Sequence, residues 1–436
     1  MIINSRPVLF FLCAMKKIIG GAGFDTWFRF AIFNLLLVAF LGIILRYKIA
    51  FSLPLINQKF LLHAHSHFAF AGWISQALMV FIAVYINKHS RQVSQKKYHY
   101  LLLANLITAY GMLLSFPFTG YAVVSIIFST LSIFTSYAFA IIAWRDLNKI
   151  PVKKTAHRWF KASLVFNAVS SLGAFSLAYM MANKIAHPNW YLAAIYFFLH
   201  FQYNGWFLFA CIGLLAAKLK AQFISEKLQR VIFYLFAFAC VPTYFLSALW
   251  LPLPTWVYTV VVIAALLQLA AGFLLLNKIL SYHKSIFENI PLPIKYIWCL
   301  SAVALSMKLL LQACSTIPAL STWAYGFRPI VIGYLHLILL GMISLFLIGY
   351  GMYERHISFS RNTSRGTWIF VAGIVLNESV LLVQGLGAIS YAAIPYVNEL
   401  LFLAAAIMFT GIFILNAAGK TTHQEAFEQK ILASPD

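Results

Sequence analysis

Twelve apolar runs leave this chain few folds to choose from. They lie near 28 to 46, 60 to 86, 98 to 116, 121 to 144, 160 to 182, 190 to 217, 231 to 250, 255 to 276, 294 to 312, 328 to 352, 367 to 389 and 395 to 416. Each is long enough to cross roughly 30 Å of hydrocarbon at about 1.5 Å per residue. The expected fold class is therefore all-α: a polytopic membrane protein with twelve transmembrane helices. With 62% hydrophobic and 10% charged residues, 436 residues carry too little polar surface for a water-soluble globule. The lipid bilayer is the expected surrounding. The boundaries at Phe116-Pro117 and Leu251-Pro252-Leu253-Pro254 are the least sharply marked.

The net charge of +22 sits in short bursts between the apolar runs, with no basic face and no nucleic-acid motif, so nucleic acid is not an expected partner. Placing the N-terminus in the cytoplasm puts 26 of the 32 Lys and Arg residues on that side, as retention of basic loops requires. Both termini are then cytoplasmic, in a bacterial-type inner membrane. The domains are a cytoplasmic segment 1–27, a membrane domain 28–416, and a cytoplasmic tail 417–436. Five cysteines (Cys13, Cys211, Cys240, Cys299, Cys314) lack Cys-x-x-Cys spacing and suggest neither a disulfide framework nor a zinc site. The stretch Val8 to Met15 precedes Lys16-Lys17, the reverse of a secretory signal's order, and Met15-Lys16-Lys17 reads as an alternative start.

A repeat divides the membrane domain. His67-x4-Gly72-Trp73 is echoed by His200-x4-Gly205-Trp206 and by His336-x4-Gly341-Met342, at intervals of 133 and 136 residues. A fixed period of this kind dictates architecture. It predicts three blocks of four spans, about 28–144, 160–277 and 294–416, with the marked histidine always in the second span. The three imidazoles then share a depth of roughly 10 to 15 Å below the outer surface.

Histidine at that depth is costly unless it is paired or ligates something, and imidazole is the commonest metal ligand. His63 and His67 are four apart and share a helix face, whereas His65 is rotated by about 200°. The glycine at +5 lets either a flat cofactor or a neighbouring helix come close.

These residues resemble those of the haem-copper oxidase superfamily, subunit I of terminal oxidases and the large subunit of nitric oxide reductases. Its members have twelve spans in three arcs of four, cytoplasmic termini, and ligand histidines on spans two, six and ten. The resemblance implies one b-type haem held by His67 and His336, with Arg328 (or Arg46 or Lys308) pairing with its propionates. His200-Phe-Gln-Tyr-Asn204-Gly205 is similar to the His-x3-acid-Gly motif of the reductases, which implies a second metal, copper or iron, at His200 with His65 nearby. His63-Ala64-His65-Ser66-His67 also resembles, in part, the NnrS family of membrane haem proteins.

The chain departs from that pattern in three places. Tyr334 replaces the first histidine of the tenth-span pair, Cys240-Val241-Pro242-Thr243-Tyr244 lacks the seventh-span histidines, and Tyr203 stands at +3 rather than +4 from His200. The implied role is electron transfer or binding of a diatomic gas, O2 or NO, alongside respiratory-chain subunits or a cytochrome or quinol donor. An alternative is an active oxygen or nitric oxide reductase with non-standard ligands His65, His200 and Tyr334. Another is a twelve-span secondary transporter without haem, although transporters of the commonest kind repeat as six plus six. Lys308, Glu399 and Arg328 are expected around the outer mouth, Lys308 pairing with Glu399, and Glu378 lies mid-span.

Overall fold

A computed structural model describes residues 23–90, 93–151 and 154–418. The expectations for residues 1–22 (Met15 as a start, Cys13, Arg6, Lys16 and Lys17), for Arg91 and Lys153, and for the tail from 419 with Lys420 and Lys430 lie outside the described residues.

Among the described residues every regular element is helical. Eleven helices have the length and apolar character of membrane spans: α1 Phe24–Phe51, α2 Gln58–His89, α3 Lys96–Thr119, α4 Val123–Asn148, α5 Thr155–Ala182, α6 Pro188–Lys218, then α8 Thr255–Ser281, α9 Leu292–Cys314, α10 Arg328–Tyr353, α11 Arg361–Ile389 and α12 Val397–Ala418. Between α6 and α8, α7 joins Glu226–Cys240 to a 3-10 segment, Pro242–Ala248, at a bend of 44°. Pro242 has no N–H to give to an α-helical ladder, so the run expected as one straight span breaks there. The chain is an all-α, multi-pass membrane protein.

Helix ends follow local chemistry. The Asn57 side chain accepts from Lys59 N and Phe60 N at 3.0 and 3.1 Å to start α2, and Ser225 and Ser360 cap α7 and α11 in the same way. Between α3 and α4 the chain turns at Gly120, whose φ of +58° favours glycine and whose Cβ would fall 2.4 Å from the Phe60 ring.

Consecutive helices pack against each other in chain order, and α12 closes the ring on α1. Inside it sit α2 and α6, with 78% and 83% of their most apolar windows buried, against 11% for the peripheral α4. The C-terminal half of α10 joins them: Trp73 Nε1 donates to Ser344 Oγ at 2.9 Å, and Trp206 Nε1 to Ser75 Oγ at 3.0 Å. At the lysine-rich end of the bundle, called the basic end below, one carboxylate fastens all three. Glu354 pairs with Lys218 of α6 and lies 3.9 Å from Lys88 of α2.

The inner helices share a second feature. Each passes through a π-helical stretch just after its marked histidine: Ala69–Ser75, Phe201–Phe207 and Leu337–Ser344. Widening the coil frees main-chain carbonyls, which need other donors. In α2 these come from two asparagines: Asn34 Nδ2 reaches Gly72 O at 2.6 Å and Asn105 Nδ2 reaches Ala71 O at 3.0 Å.

Candidate functional site

The three histidines of α2 divide as their spacing requires. His63 and His67 share a face and pack on Tyr121, with ring centroids 4.7 and 5.9 Å away. His67 also stacks on Phe116 at 4.6 Å, and its Nε2 is hydrogen-bonded to the Tyr121 hydroxyl at 2.9 Å. His65 points the other way, toward α1, and its Nδ1 lies 3.1 Å from Val38 O. A carbonyl can only accept, so Nδ1 carries the proton and Nε2 is the bare lone pair.

His336 repeats this arrangement. Its Nδ1 donates to Ile332 O, one turn back, at 3.0 Å, and no hydrogen bond of the described residues involves Nε2 of either ring. His65 and Arg46 lie within electrostatic range of His336, and Arg328 within range of Arg46. The register explains this. The helices α2 and α10 run the same way and are pinned where Trp73 meets Ser344; His65 and His336 each stand eight residues before that bond, about 12 Å along the axis. The resemblance pairs His67 with His336; in the structure His65 lies within electrostatic range of His336, and His67 is hydrogen-bonded to Tyr121.

Space accompanies this pair. No residue from Arg328 to His336 is buried, although the rest of α10 runs through the core. His65 and His336 are themselves half-buried. Neither Arg46 nor Arg328 has an ion-pair partner among the described residues, so two guanidiniums without paired carboxylates accompany two imidazoles whose Nε2 atoms make no hydrogen bond. These residues fit a haem: two axial nitrogens whose other ring N–H is fixed by a carbonyl, and cations for its propionates.

His200 is placed differently. Its Nε2–H donates to Cys240 O at 2.8 Å, while its Nδ1 lies 3.0 Å from Asn204 Nδ2, so both ring nitrogens are engaged. Lys308 lies within electrostatic range of it, and no group of three His, Cys, Asp or Glu side chains among the described residues has metal-holding geometry. A second copper or iron does not fit at His200, whose two ring nitrogens are both engaged. Lys308 is not at the mouth beside Glu399 as expected; it is fully buried with no hydrogen-bond partner, beside Cys240, while Glu399 is exposed.

The glycines at +5 serve packing. A Cβ at Gly205 would lie 2.5 Å from Phe166 Cβ of α5, and one at Gly341 would lie 3.3 Å from Ala304 Cβ of α9. At Gly72 it would strike the ring of Phe68, one turn back, at 2.7 Å. Glu378 Oε2 approaches α10 at Gly333, 3.8 Å from where a Cβ would stand. Sequence reasoning missed Asn34 and Asn105, since an asparagine in an apolar run carries no sign of which carbonyl it will meet. No family model matches the chain, and no curated protein matches it.

Proposed function

We propose that this protein holds one b-type haem between His65 and His336 and serves as a membrane electron carrier. One observation carries the reading. Two imidazoles at matching depth on parallel inner helices each give Nδ1–H to a main-chain carbonyl and keep Nε2 free of hydrogen bonds. That fixes tautomer and ring orientation in the way iron ligation needs. Arg46 and Arg328 supply the positive edge that propionates require. Haem, when bound, supplies the one-electron chemistry; the chain sets ligand basicity, charge and exclusion of water.

With both axial positions filled by protein, electron transfer is favoured over gas binding. The basic end faces the cytoplasm of a bacterial-type inner membrane in this reading, and the donor is a respiratory partner such as a cytochrome or quinol. The four-helix interval between α2, α6 and α10 supports the likeness to oxidase subunit I rather than to a transporter of two six-helix halves.

Optical spectra of the detergent-purified protein, air-oxidised and then dithionite-reduced, with a pyridine haemochrome assay, test this. The expected result is a sharp low-spin α band and one haem per chain, lost in His65→Ala and in His336→Ala but kept in His67→Ala. Colourless protein overturns the haem reading and returns the histidines to a transporter-like scaffold. Loss in His67→Ala with retention in His65→Ala overturns the ligand assignment alone.

A further inference from the structure

The second polar region of the bundle lies around Lys308, away from the histidine pair, and is built from four helices. Lys308 and Gln312 stand one turn apart on α9. Gln268 of α8 faces them: Leu309 packs on Gly272, and Gln268 lies one turn from Gly272 in the direction of Gln312. Gln268 Nε2 donates to Thr243 Oγ1 of α7 at 3.3 Å, and Thr243 Oγ1 in turn bonds Ala239 O and Cys240 O at 2.8 and 3.2 Å. Asn204 of α6 closes the remaining side, with Cys240 Sγ 3.9 Å from its carbonyl.

Each of these four side chains is buried, and each keeps a polar atom without a partner: Lys308 Nζ, Gln312 Oε1, Gln268 Oε1 and Asn204 Oδ1. They are half of the buried unpartnered atoms among the described residues. An ammonium brings three donors and no acceptor; three amide oxygens bring acceptors and no proton. An anion would satisfy the ammonium and be repelled by the oxygens, whereas a metal cation would suit the oxygens and be repelled by the ammonium. Water, which both donates and accepts, complements all four, and buried waters occur where several unsatisfied polar groups converge.

We propose that Lys308, Gln312, Gln268 and Asn204 enclose a hydrated chamber inside the bundle in which Lys308 takes up and releases a proton. The step is a plain proton transfer. The ammonium gives one N–H proton to a chamber water, the bonding pair stays on nitrogen as the amine lone pair, and the reverse restores it. The titratable groups facing Lys308 are Cys240 from α7 and His200 from α6; α8 offers only the neutral Gln268. No carboxylate pairs with Lys308, so no ion pair locks its proton in place. An ionisable side chain held in this way within a membrane span is the arrangement found at proton relays. The proposal stands apart from the haem reading, because none of these residues belongs to the histidine pair.

Two measurements on the full chain in bilayers test it. Radiolytic footprinting in 18O-labelled water reads chamber hydration without any variant: Cys240 should be oxidised rapidly with solvent oxygen, while Cys211, also buried but outside the cluster on α6, should not. Solid-state NMR of 15N-lysine protein should show one Nζ resonance, absent in Lys308→Met, that moves between ammonium and amine positions across the accessible pH range and exchanges with water. Equal protection of Cys240 and Cys211 means a dry chamber and overturns the proposal. A Lys308 resonance that stays at the ammonium position, or that shows no contact with water, overturns it as well.

Discussion

Replacing Asn34 with leucine should destabilise the fold through the π-helical stretch of α2. Asn34 is fully buried and serves two partners: it donates to Gly72 O at 2.6 Å and accepts from the Tyr110 hydroxyl at 2.8 Å. Leucine keeps the volume and removes both bonds. The Gly72 carbonyl, in the wide turn, then loses its side-chain donor, and an unsatisfied buried group costs about 1–3 kcal/mol. The Tyr110 hydroxyl is only partly buried and can turn to another acceptor, so it adds at most about 1 kcal/mol. The expected loss is about 2–4 kcal/mol in reversible SDS unfolding from mixed micelles, followed by circular dichroism. Tyr110→Phe removes one bond and leaves Gly72 capped, so it should cost about 1 kcal/mol. If Asn34→Leu costs no more than Tyr110→Phe, the carbonyl does not depend on Asn34 and the account of the wide turn fails.

Glu354→Gln should unfasten the basic ends of α2, α6 and α10; because Lys218 and Lys88 are 29% and 62% exposed, the loss is about 1–2 kcal/mol in the same assay. No measurable change would make the three-helix knot incidental. Gly411→Leu should separate α11 from α12, since a Cβ there would fall 2.4 Å from Phe370 N; failure to recover monodisperse protein by size exclusion is expected, whereas Gly326→Ala, with nothing within 4 Å, should behave as wild type. With haem bound as proposed, Arg46→Leu should lower its midpoint potential by some tens of millivolts, the effect of one positive charge about 10 Å away at an effective dielectric constant of about 20. An unchanged or raised potential in a redox titration would take Arg46 away from the propionate edge.

The span pattern was legible because each apolar run is about as long as the hydrocarbon core is thick, or longer, and length alone decides that. The break at Pro242 was visible as a proline and still read as part of one span, since composition does not say whether a helix bends or continues. The facing of His63 and His67 together, with His65 opposed, follows from 3.6 residues per turn and needed no tertiary information. The resemblance pairs His67 with His336, whereas the hydrogen bond of Trp73 to Ser344 sets His65 level with His336. That hydrogen bond joins residues 271 apart in sequence, and no local pattern announces it. Lys308 was expected at the mouth because it lies near the outer end of the ninth span; its neighbours Gln268, Gln312 and Asn204 are scattered over three helices and become a cluster only when the ring closes.

Ligation by two protein imidazoles also separates a carrier from a gas-reducing enzyme, and the difference can be measured. An enzyme that reduces O2 or NO needs an open position on its iron and, in the oxidase pattern, a second metal close by. Here His65 and His336 both keep Nε2 free of hydrogen bonds, while His200 spends both ring nitrogens on Cys240 and Asn204. Carbon monoxide should therefore leave the spectrum of the dithionite-reduced protein unchanged over minutes, because binding would require displacing a histidine whose ring is held by Val38 O or Ile332 O. In His65→Gly, where one axial nitrogen is removed and haem is kept by supplying imidazole during expression, washing the imidazole away should open the position and give a carbon monoxide difference spectrum. Rapid, stoichiometric binding of carbon monoxide by the unmodified protein would mean that one of the two rings is not an iron ligand, and the histidine pair would then belong to a gas site instead of an electron carrier.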